Sequence, residues 1–211
     1  MKKILLIIIL ILAMFQLVVM ATNYTSQYPT QDADHVKTTT ALTSAFEGYI
    51  ATDPAISLTG NSTGASWMSA SVTTNQRFHI DLGSAKIIRR IYYENFHRDG
   101  GDTDRGTKNF TFWGSNTGSG TFDDLVYAND EGWTELTCSQ NTFDIHVSAD
   151  QADPKYITVT NTTAYRYYAL KFADNQTDDT YMGVRRIELQ TEDDYPPEAA
   201  TDNAIMFGMN F

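Results

Sequence analysis

The sequence predicts an all-β fold, an antiparallel two-sheet β-sandwich with one short N-terminal helix. Three observations predict it. Short apolar–polar alternations recur along the chain, turn-forming Gly, Asn and Asp residues separate them, and no long helical pattern is present. The clearest alternation is RFHIDLG, in which Phe78, Ile80 and Leu82 alternate with polar residues before Gly83. One face of this strand is therefore expected to lie in a core.

The first 21 residues have the features of a secretory signal. Lys2 and Lys3 precede an apolar run from Ile4 to Met20, and the small residue Ala21 follows. We predict a signal peptide over residues 1–21 that is cleaved after Ala21. The alternative is a retained membrane anchor, since the run approaches the length that spans a bilayer. Both interpretations predict a secreted or cell-surface protein.

The remaining chain is acidic. The 211 residues carry a formal net charge of −11, and loss of Lys2 and Lys3 would take it to −13. Phosphate binding depends on clustered Lys and Arg, so nucleic acid and anionic membranes are not expected partners. Because Cys138 is the sole cysteine, an intramolecular disulfide is impossible. An inert buried thiol is favoured over intermolecular pairing.

The elements follow in order. Residues 22–37 are polar and predict an N-terminal arm, and residues 38–50 place apolar residues at helical spacing, which predicts the short helix. Asp53-Pro54 ends that helix, and Trp67 is expected to plug one end of the core. A β-sandwich is predicted over residues 38–191. Its later candidate strands are 87–96, 110–113, 143–147, 156–159, 165–172 and 183–189.

The C-terminal region predicts a linker and one further strand. Residues 192–204 are acidic and contain Pro196-Pro197, which is typical of a linker. Residues 205–211 alternate apolar and small or polar side chains. They predict an added edge strand, or the first strand of a further domain. Such a strand can complete a neighbour's sheet, so a homo-oligomer built through it is a possible partner arrangement.

The sequence contains only fragments of catalytic motifs. The sequence HRD at residues 97–99 matches a kinase catalytic loop, but Asp104 stands where a kinase needs Asn. The nucleophile-elbow pattern, HExxH and paired metal-ligand spacings do not occur. Clustered aspartates such as Asp102 and Asp104 suit a glycosidase in principle, but in loops they are usually solvated. We therefore predict that the protein is not an enzyme.

Five features, taken in order along residues 45–191, resemble the coagulation factor V/VIII type C, or discoidin, family, which is galactose-binding-like. They are the loop TGNSTGASW ending at Trp67, the DLG strand at 81–83, Ile88 with Ile91, Arg166 with Tyr167, and the closing strand GVRRIELQ at 183–190. Family-32 carbohydrate-binding modules belong to this family. The resemblance implies a jelly-roll topology and a glycan or polysaccharide ligand held by loops at one end.

The resemblance also implies which residues bind the ligand. The family's ligand loops correspond to two polar excursions, residues 97–108 and 173–181. Guanidinium, imidazole, amide and carboxylate groups grip sugar hydroxyls, and an aromatic ring covers the sugar's apolar face. The candidates are His97, Arg98, Asp102 and Arg105 as polar grips, Asn175 as a donor from the second loop, and Tyr181 as the platform.

Two of these candidates have structural alternatives. Arg105 would equally anchor its own loop to a neighbouring carboxylate. Tyr181, two residues before the closing strand, would cap the core.

No cofactor is expected. Many members of the family hold a structural Ca²⁺ with an aspartate and a glutamate, and here Thr59 and Arg186 occupy the corresponding places. The prediction is that the Arg186 guanidinium replaces the metal and hydrogen-bonds loop carbonyls. A surface Ca²⁺ on Asp102 and Asp104 is the open alternative.

Two functions from different classes follow. The leading one is an exported, non-catalytic glycan-binding module used for adhesion, either alone or as part of a larger secreted hydrolase. The alternative is a structural subunit of an extracellular fibre, sheath or virion that assembles through protein–protein contacts.

Overall fold

The computed structural model describes residues 22–178 and 180–193, and strands dominate them. The strands are Tyr24–Gln27 (β1), Val36–Thr38 (β2), Trp67–Met68 (β3), Thr74–Lys86 (β4), Arg90–Asn95 (β5), Phe110–Ser115 (β6), Thr134–Cys138 (β7), Lys155–Thr160 (β8), Tyr165–Asp174 (β9) and Gly183–Glu192 (β10).

The strands form one curled antiparallel sheet. Its order is β1-β10-β5-β8-β7-β6-β9-β4-β2, and β3 pairs with β10 outside this path. The sheet has two halves, β1-β10-β5-β8 and β6-β9-β4-β2. Strand β7 joins them, because it pairs with β6 on one side and with the end of β8 on the other. The all-β, antiparallel sandwich predicted from the sequence is confirmed.

The core lies between the two halves of the curled sheet. The alternation in β4 buries Phe78 and Ile80 almost completely, as predicted. Trp67 is fully buried, meets Phe78 edge to face at 5.6 Å between ring centroids, and stacks on Phe172 at 5.9 Å. Large aromatic rings bury much apolar area in offset and edge-on contacts, so Trp67 fills the core as expected.

The predicted short helix takes the form of two 3₁₀ helices, Ser44–Phe46 and Gly48–Thr52. Threonine-rich sequence favours short turns over a long α-helix, and the Thr43 side chain accepts a hydrogen bond from the N–H of Ala45 at the first of them. A third 3₁₀ helix is Thr103–Arg105, and a five-residue α-helix, Ser119–Asp123 (α1), follows β6. None of the helices in the described residues has the length and apolarity needed to cross a membrane.

The expected N-terminal arm belongs to the sheet instead. Strand β1 pairs with β10, with Tyr24 opposite Glu192, and β2 pairs with β4. Both are short edge strands at opposite ends of the strand order, and edge strands tolerate polar residues because one side of them is open. The sequence does not reveal these two strands, because an edge strand of three or four residues shows too little alternation to be recognised.

Three predictions fall on residues that the structure does not describe. The signal peptide over residues 1–21 lies outside the described residues, as do the linker beyond Asp193 and the terminal segment 205–211. The alternative of a structural subunit that donates its last strand therefore stays a prediction.

Candidate functional site

The two polar excursions meet at one end of the sandwich. We call them tip loop 1 (residues 97–108) and tip loop 2 (residues 173–181), and their end of the molecule the tip. Thr107 and Asn175 form an antiparallel β-bridge between the loops. Residues far apart in sequence are thereby held side by side by backbone hydrogen bonds, so the predicted meeting of the loops is confirmed.

Charged side chains connect the two tip loops into what we call the ion-pair chain: Arg98, Asp102, Arg105 and Asp178. Asp102 Oδ2 lies 2.6 Å from Arg98 Nη2 and 3.0 Å from Arg105 Nη1. Arg105 Nε lies 3.3 Å from Asp178 Oδ2 in tip loop 2. The Arg98 side chain is 47% exposed, whereas Asp102 and Arg105 are 28% and 21% exposed. Solvent therefore reaches one end of the chain most freely.

Tyr181 borders the ion-pair chain. The Arg105 guanidinium carbon lies 5.3 Å from the centroid of the Tyr181 ring. The ring is half-buried and packs against a small apolar cluster that contains Phe46, Met68 and Phe96. The structure therefore gives Tyr181 a core contact as well as a position beside the polar groups of the tip. Arg105 in turn bonds carboxylates of both tip loops, which is the anchoring role named as its alternative.

Asp178 fixes the turn that carries Tyr181. Its Oδ1 accepts hydrogen bonds from the backbone N–H groups of Thr180 at 2.7 Å and Tyr181 at 2.6 Å. Partial burial raises the pKa of Asp178, but these two N–H donors and the Arg105 guanidinium outweigh it and hold the pKa below its usual range. Asp178 is therefore ionised at neutral pH. Asp178 is not among the residues predicted to bind the ligand, since no spacing in the sequence distinguishes it from the neighbouring polar residues of the loop.

Asn175 supports tip loop 2 from inside. Its side chain is largely buried, and Nδ2 donates to the carbonyl oxygens of Asp178 at 2.9 Å and Tyr181 at 2.6 Å. Both amide hydrogens are thus occupied within its own loop. The structure gives Asn175 a position next to the candidate ligand groups and an internal set of partners.

His97 is buried, which contradicts the exposed position expected for it. Its Nε2 donates to the Leu58 carbonyl at 2.9 Å, and its Nδ1 accepts from the N–H of Gly100 at 3.1 Å. The ring also stacks on buried His146, with 4.0 Å between centroids. Burial and the nearby Arg185 lower the pKa of His97 despite the Leu58 hydrogen bond, so the ring is neutral. An aromatic strand followed by a polar loop does not show on which side of the chain its first residue lies.

Gly100 explains how tip loop 1 approaches the neighbouring loop so closely. Its φ is +78°, and a Cβ at this position would lie 2.6 Å from the backbone of Ala149 and Asp150. Only glycine combines that backbone conformation with that approach. The His97–His146 stack depends on the same contact, because both rings lie where these loops meet.

A buried guanidinium ties the base of the tip together, and it belongs to Arg185, not to Arg186 as predicted. Arg185 is fully buried and donates hydrogen bonds to a ring of backbone oxygens that we call the carbonyl cage. The five acceptors are the carbonyl oxygens of Ser57, Thr59, Gly60, Asn61 and His97. The shortest of these bonds, from Nη2 to Thr59, is 2.5 Å, and those to His97 and Gly60 are 2.9 and 3.0 Å.

A β-bulge is the reason for this one-residue error. The register of β10 against β5 shifts between Val184 and Arg186, so a correspondence with the family counted along the sequence is one residue off there. Arg186 lies on the next position and donates to the Ile56 carbonyl at 2.6 Å and to Glu188 at 3.3 Å. Both arginines therefore bind the 56–61 loop, but Arg185 makes most of the bonds. The adjacent pair of arginines in the closing strand was visible in the sequence, but the β-bulge that places Arg185 at the carbonyl cage was not.

The described residues offer no obvious metal centre. Among residues 22–178 and 180–193, no group of three or more His, Cys, Asp or Glu side chains is placed to hold a metal ion. The Thr59 carbonyl is bonded to Arg185, and Asp102 is paired with two arginines. The expectation that no cofactor is needed stays a prediction.

The single thiol fits the inert role predicted for it. Cys138 is half-buried at the end of β7 and packs against the main core. Burial raises the pKa of the Cys138 thiol to about 12, with a smaller contribution from the Glu135 carboxylate. A thiol that stays protonated at neutral pH is a poor nucleophile.

Comparison with known proteins shows the fold. No protein-family model matches the chain, and no curated protein matches its sequence. Solved structures do match. The family 32 module of NanJ from Clostridium perfringens, in complex with galactose, has a TM-score of 0.53 at 13% identity, covering 80% of this chain and 100% of that one. The chain has the galactose-binding-like sandwich fold.

Two further structures with this fold are similar to the chain over nearly their whole length. A second family-32 module from C. perfringens, in complex with GalNAc-beta-1,3-galactose, has a TM-score of 0.52 at 12% identity, covering 78% of this chain and 99% of that one. A labelled variant of a chitosan-binding module from a Paenibacillus chitosanase/glucanase has a TM-score of 0.51 at 17% identity, covering 80% and 100%. The resemblance to the discoidin-type fold inferred from the sequence is confirmed.

Proposed function

We propose that this chain is an exported, non-catalytic glycan-binding module that holds sugar at its tip. The observation that carries the proposal is the ion-pair chain. It gathers guanidinium and carboxylate groups of both tip loops beside the ring of Tyr181. Such a group of donors, acceptors and one aromatic face matches the two kinds of surface that a pyranose presents.

The roles within the site follow from exposure and bonding. Arg98 is the most exposed member and has one carboxylate partner, so its remaining N–H groups are available to sugar hydroxyls. Asp102 forms ion pairs with both Arg98 and Arg105 and so holds the two guanidinium groups near each other. Arg105 lies deeper, between Asp102 and Asp178, and keeps its plane near Tyr181. His97 and Asn175 support the site indirectly, since their polar atoms form hydrogen bonds with the backbone of the loops.

The solved neighbours support the ligand class, because two of them were crystallised with galactose-containing sugars and a third is named as a chitosan-binding module. All three are binding modules by name, which supports a non-catalytic role. A shallow sugar site of this kind binds with an affinity of ~mM, about −4 kcal/mol. Adhesion to polysaccharide would therefore rely on several copies binding at once.

The test is a glycan array probed with multivalent protein, with one variant at the tip and one matched control. Arg98→Ala removes the exposed guanidinium of the tip. Arg166→Ala removes one that is 44% exposed and also paired with an aspartate, Asp81, at the opposite end of β9. We expect Arg98→Ala to weaken binding about tenfold or more, since hydrogen bonds from charged groups contribute about 1.5–3 kcal/mol. Arg166→Ala should bind like the wild type.

Two results would overturn the proposal. One is a folded wild-type protein that binds no glycan on the array. The other is an equal effect of the two arginine variants, which would mean that general surface charge and not the tip carries the binding. Circular dichroism of all three proteins shows whether each is folded.

A further inference from the structure

The outer face of one half of the sheet carries an arginine between two tyrosines. Ile91 of β5 and Ile157 of β8 are fully buried and face the core, so Arg90 and Tyr156 beside them lie on the opposite, outer face. Tyr24 of β1 reaches the same face. Arg90 begins β5, whereas tip loop 1 follows the other end of that strand. This arginine is therefore separate from the site at the tip.

The Arg90 guanidinium packs against both tyrosine rings. Its central carbon lies 3.7 Å from the centroid of the Tyr24 ring and 4.4 Å from that of Tyr156. The two rings come from β1 and β8, which lie on opposite sides of β5 in the strand order, so they cover opposite faces of the guanidinium. Its Nε donates to Gln190 Oε1 at 2.6 Å. Stacking and this hydrogen bond together fix the orientation of the guanidinium plane.

The two terminal Nη groups of Arg90 have no partner among the residues that the structure describes. Arg90 belongs to none of the ion pairs found there, and its side chain donates only the hydrogen bond from Nε. Two carboxylates of β10 on the same face are paired with other arginines. Glu192 Oε2 lies 3.1 Å from Arg89 Nε, and Glu188 Oε1 lies 3.3 Å from Arg186 Nη1. Arg90 is therefore a partly exposed cation without a carboxylate of its own.

The open edge of this guanidinium suits a carboxylate. We call the space between the two rings, in front of the Nη groups, the arginine slot. Two N–H groups side by side hold a carboxylate through two parallel hydrogen bonds in one plane. The rings leave room for a planar anion that continues the guanidinium plane. A sulfate or phosphate group is tetrahedral, and its remaining oxygens would point towards the rings of Tyr24 and Tyr156. The slot therefore favours a carboxylate.

The surroundings of the arginine slot suit a sugar. Tyr156 is 50% exposed, and aromatic rings pack on the C–H groups of a pyranose. Thr158 is exposed and lies directly opposite Arg90 in the pairing of β5 with β8, on the same face. Its hydroxyl can donate to and accept from a sugar hydroxyl. An acidic peptide would use the guanidinium and leave the ring and the hydroxyl unused, so a sugar that carries a carboxylate fits this face best.

We propose that the arginine slot is a second glycan site, which binds the carboxylate of a uronate unit in an acidic polysaccharide. The carboxylate accepts from the two Nη groups of Arg90, the pyranose ring lies on Tyr156, and a sugar hydroxyl bonds Thr158. This inference rests on the proposed function for the ligand class, a sugar, and not for the position of the site. The two sites can therefore be tested separately.

The test is an NMR titration of the isotopically labelled full chain with trigalacturonate. The reporter is the backbone amide of Thr158, which is present in every variant and lies opposite position 90. We expect a saturable shift of this signal with half-saturation at ~mM concentration, the range of a shallow sugar site. The trimethyl ester of the same sugar, which lacks only the negative charges, should bind about tenfold more weakly, because hydrogen bonds between charged groups are the stronger ones.

Two further ligands define the specificity of the slot. Galactose 6-sulfate is compared with galacturonate, and it should bind severalfold more weakly because its anion is tetrahedral. Hexaglutamate is compared with trigalacturonate, and it should also bind severalfold more weakly because it has carboxylates but no pyranose ring.

Matched variants assign the binding to the slot. Arg90→Gln should weaken trigalacturonate binding about tenfold or more, since it removes the charged donors. Arg90→Lys should weaken it as well, because lysine keeps the charge but loses the planar pair of N–H groups. Tyr156→Ala should weaken binding severalfold, whereas Tyr156→Phe keeps the ring and should bind like the wild type.

Arg166→Gln is the control for charge. Arg166 is also exposed and also lies beside a tyrosine, with 5.0 Å between its guanidinium carbon and the centroid of the Tyr167 ring, but it is paired with Asp81. Arg166→Gln and Arg98→Ala should both leave trigalacturonate binding unchanged. The amide spectrum of each variant shows whether it is folded.

Several outcomes would overturn the proposal. One is a folded wild-type protein whose Thr158 signal does not shift up to roughly 50 mM trigalacturonate, far above the ~mM range. Equal binding of the methyl ester or of hexaglutamate would show that the slot does not recognise a uronate. An equal loss with Arg166→Gln would assign the effect to general surface charge, and a loss with Arg98→Ala alone would place the uronate at the tip.

The two sites can fail independently. Array binding of neutral glycans that is lost with Arg98→Ala, together with no shift at Thr158, would leave the tip proposal standing and end this one. A shift at Thr158 that is lost with Arg90→Gln, in a protein that binds no neutral glycan, would support the arginine slot and count against the tip.

Discussion

Two arginines of the tip differ in burial and in the charge of the groups that they bind. Arg185, in the carbonyl cage, is fully buried and bonds only neutral backbone oxygens. Arg98, at the end of the ion-pair chain, is 47% exposed and faces a carboxylate. Burying a charge costs several kcal/mol unless its hydrogen bonds are fully made, whereas an exposed ion pair contributes about 0–1 kcal/mol.

The difference separates support from recognition. The cage joins the 57–61 loop, tip loop 1 and β10 through one side chain, so its removal leaves several carbonyl oxygens buried without donors. The ion-pair chain joins the tip loops where water already reaches them. Its groups can exchange a water or a carboxylate for a sugar hydroxyl at little cost. The following predictions test this separation, beginning with the largest effect.

Arg185→Met should lower the free energy of unfolding by about 3–5 kcal/mol, because the five carbonyl oxygens of the cage lose their donor together. Urea unfolding followed by tryptophan fluorescence measures the change. Arg186→Met is the control, with two hydrogen-bond partners in place of five, and should cost less. An equal cost for the two variants would contradict the central position given to Arg185.

Acid should weaken the cage before the ion-pair chain. The pKa of His97 is lowered by burial and by Arg185 from its ordinary value of 6.5, so the folded protein resists protonation there while the unfolded chain accepts it. Stability depends on pH through the difference in bound protons, and here the unfolded state binds more. The contribution of His97 is thus complete above about pH 6.5 and falls as the pH decreases below it.

The carboxylates of the ion-pair chain respond only at lower pH. The pKa of Asp178 lies below 3.8, so its contribution is present above that value and is lost as the pH falls through its folded pKa. Buried His79 has a pKa lowered to about 4, so it also makes the folded protein less stable as the pH falls.

Urea midpoints measured from pH 7 to about pH 4.5 should therefore decrease, and His97→Gln should make the decrease with pH less steep. An unchanged slope in His97→Gln would show that His97 does not titrate as described.

Asp102→Asn should change the free energy of unfolding by less than about 1 kcal/mol, since its partners are exposed or half-exposed. The same change should weaken glycan binding, because two arginines lose the carboxylate that orients them. Urea unfolding and the glycan array, run on one protein sample, measure the two effects. A loss of stability similar to that of Arg185→Met would show that the chain supports the fold and would remove the distinction drawn here.

The sequence predicted the features that leave a periodic pattern or an ordered set of motifs, and it missed the features that leave neither. The strand containing Phe78 and Ile80 was predictable because its apolar residues alternate with polar ones, although Arg77 and His79 on its other face are buried as well. The meeting of the tip loops followed from a resemblance in the order of motifs. Edge strand β1 and the buried position of His97 were not predictable, since neither leaves a periodic signal.

The error at Arg185 is the most informative. The resemblance to the family implied that the Arg186 guanidinium takes the place of a metal and binds loop carbonyls, whereas Arg185 makes most of those hydrogen bonds. Which arginine does so depends on a one-residue bulge after Val184. A bulge reverses the alternation beyond it, and bulges have no firm sequence signature in the interior of a strand.

The smallest expected effect concerns calcium. A metal ion at the 57–61 loop would need the carbonyl oxygens that Arg185 already binds, and its charge would lie against that guanidinium. We therefore expect EDTA or added Ca²⁺ to leave the thermal midpoint of the wild-type protein unchanged. The informative comparison is the same calcium titration of Arg185→Met, because this substitution frees the same carbonyl oxygens, which are ligands suited to Ca²⁺. A midpoint of the wild type that rises with Ca²⁺ would place a metal in this region and contradict the substitution of a guanidinium for it.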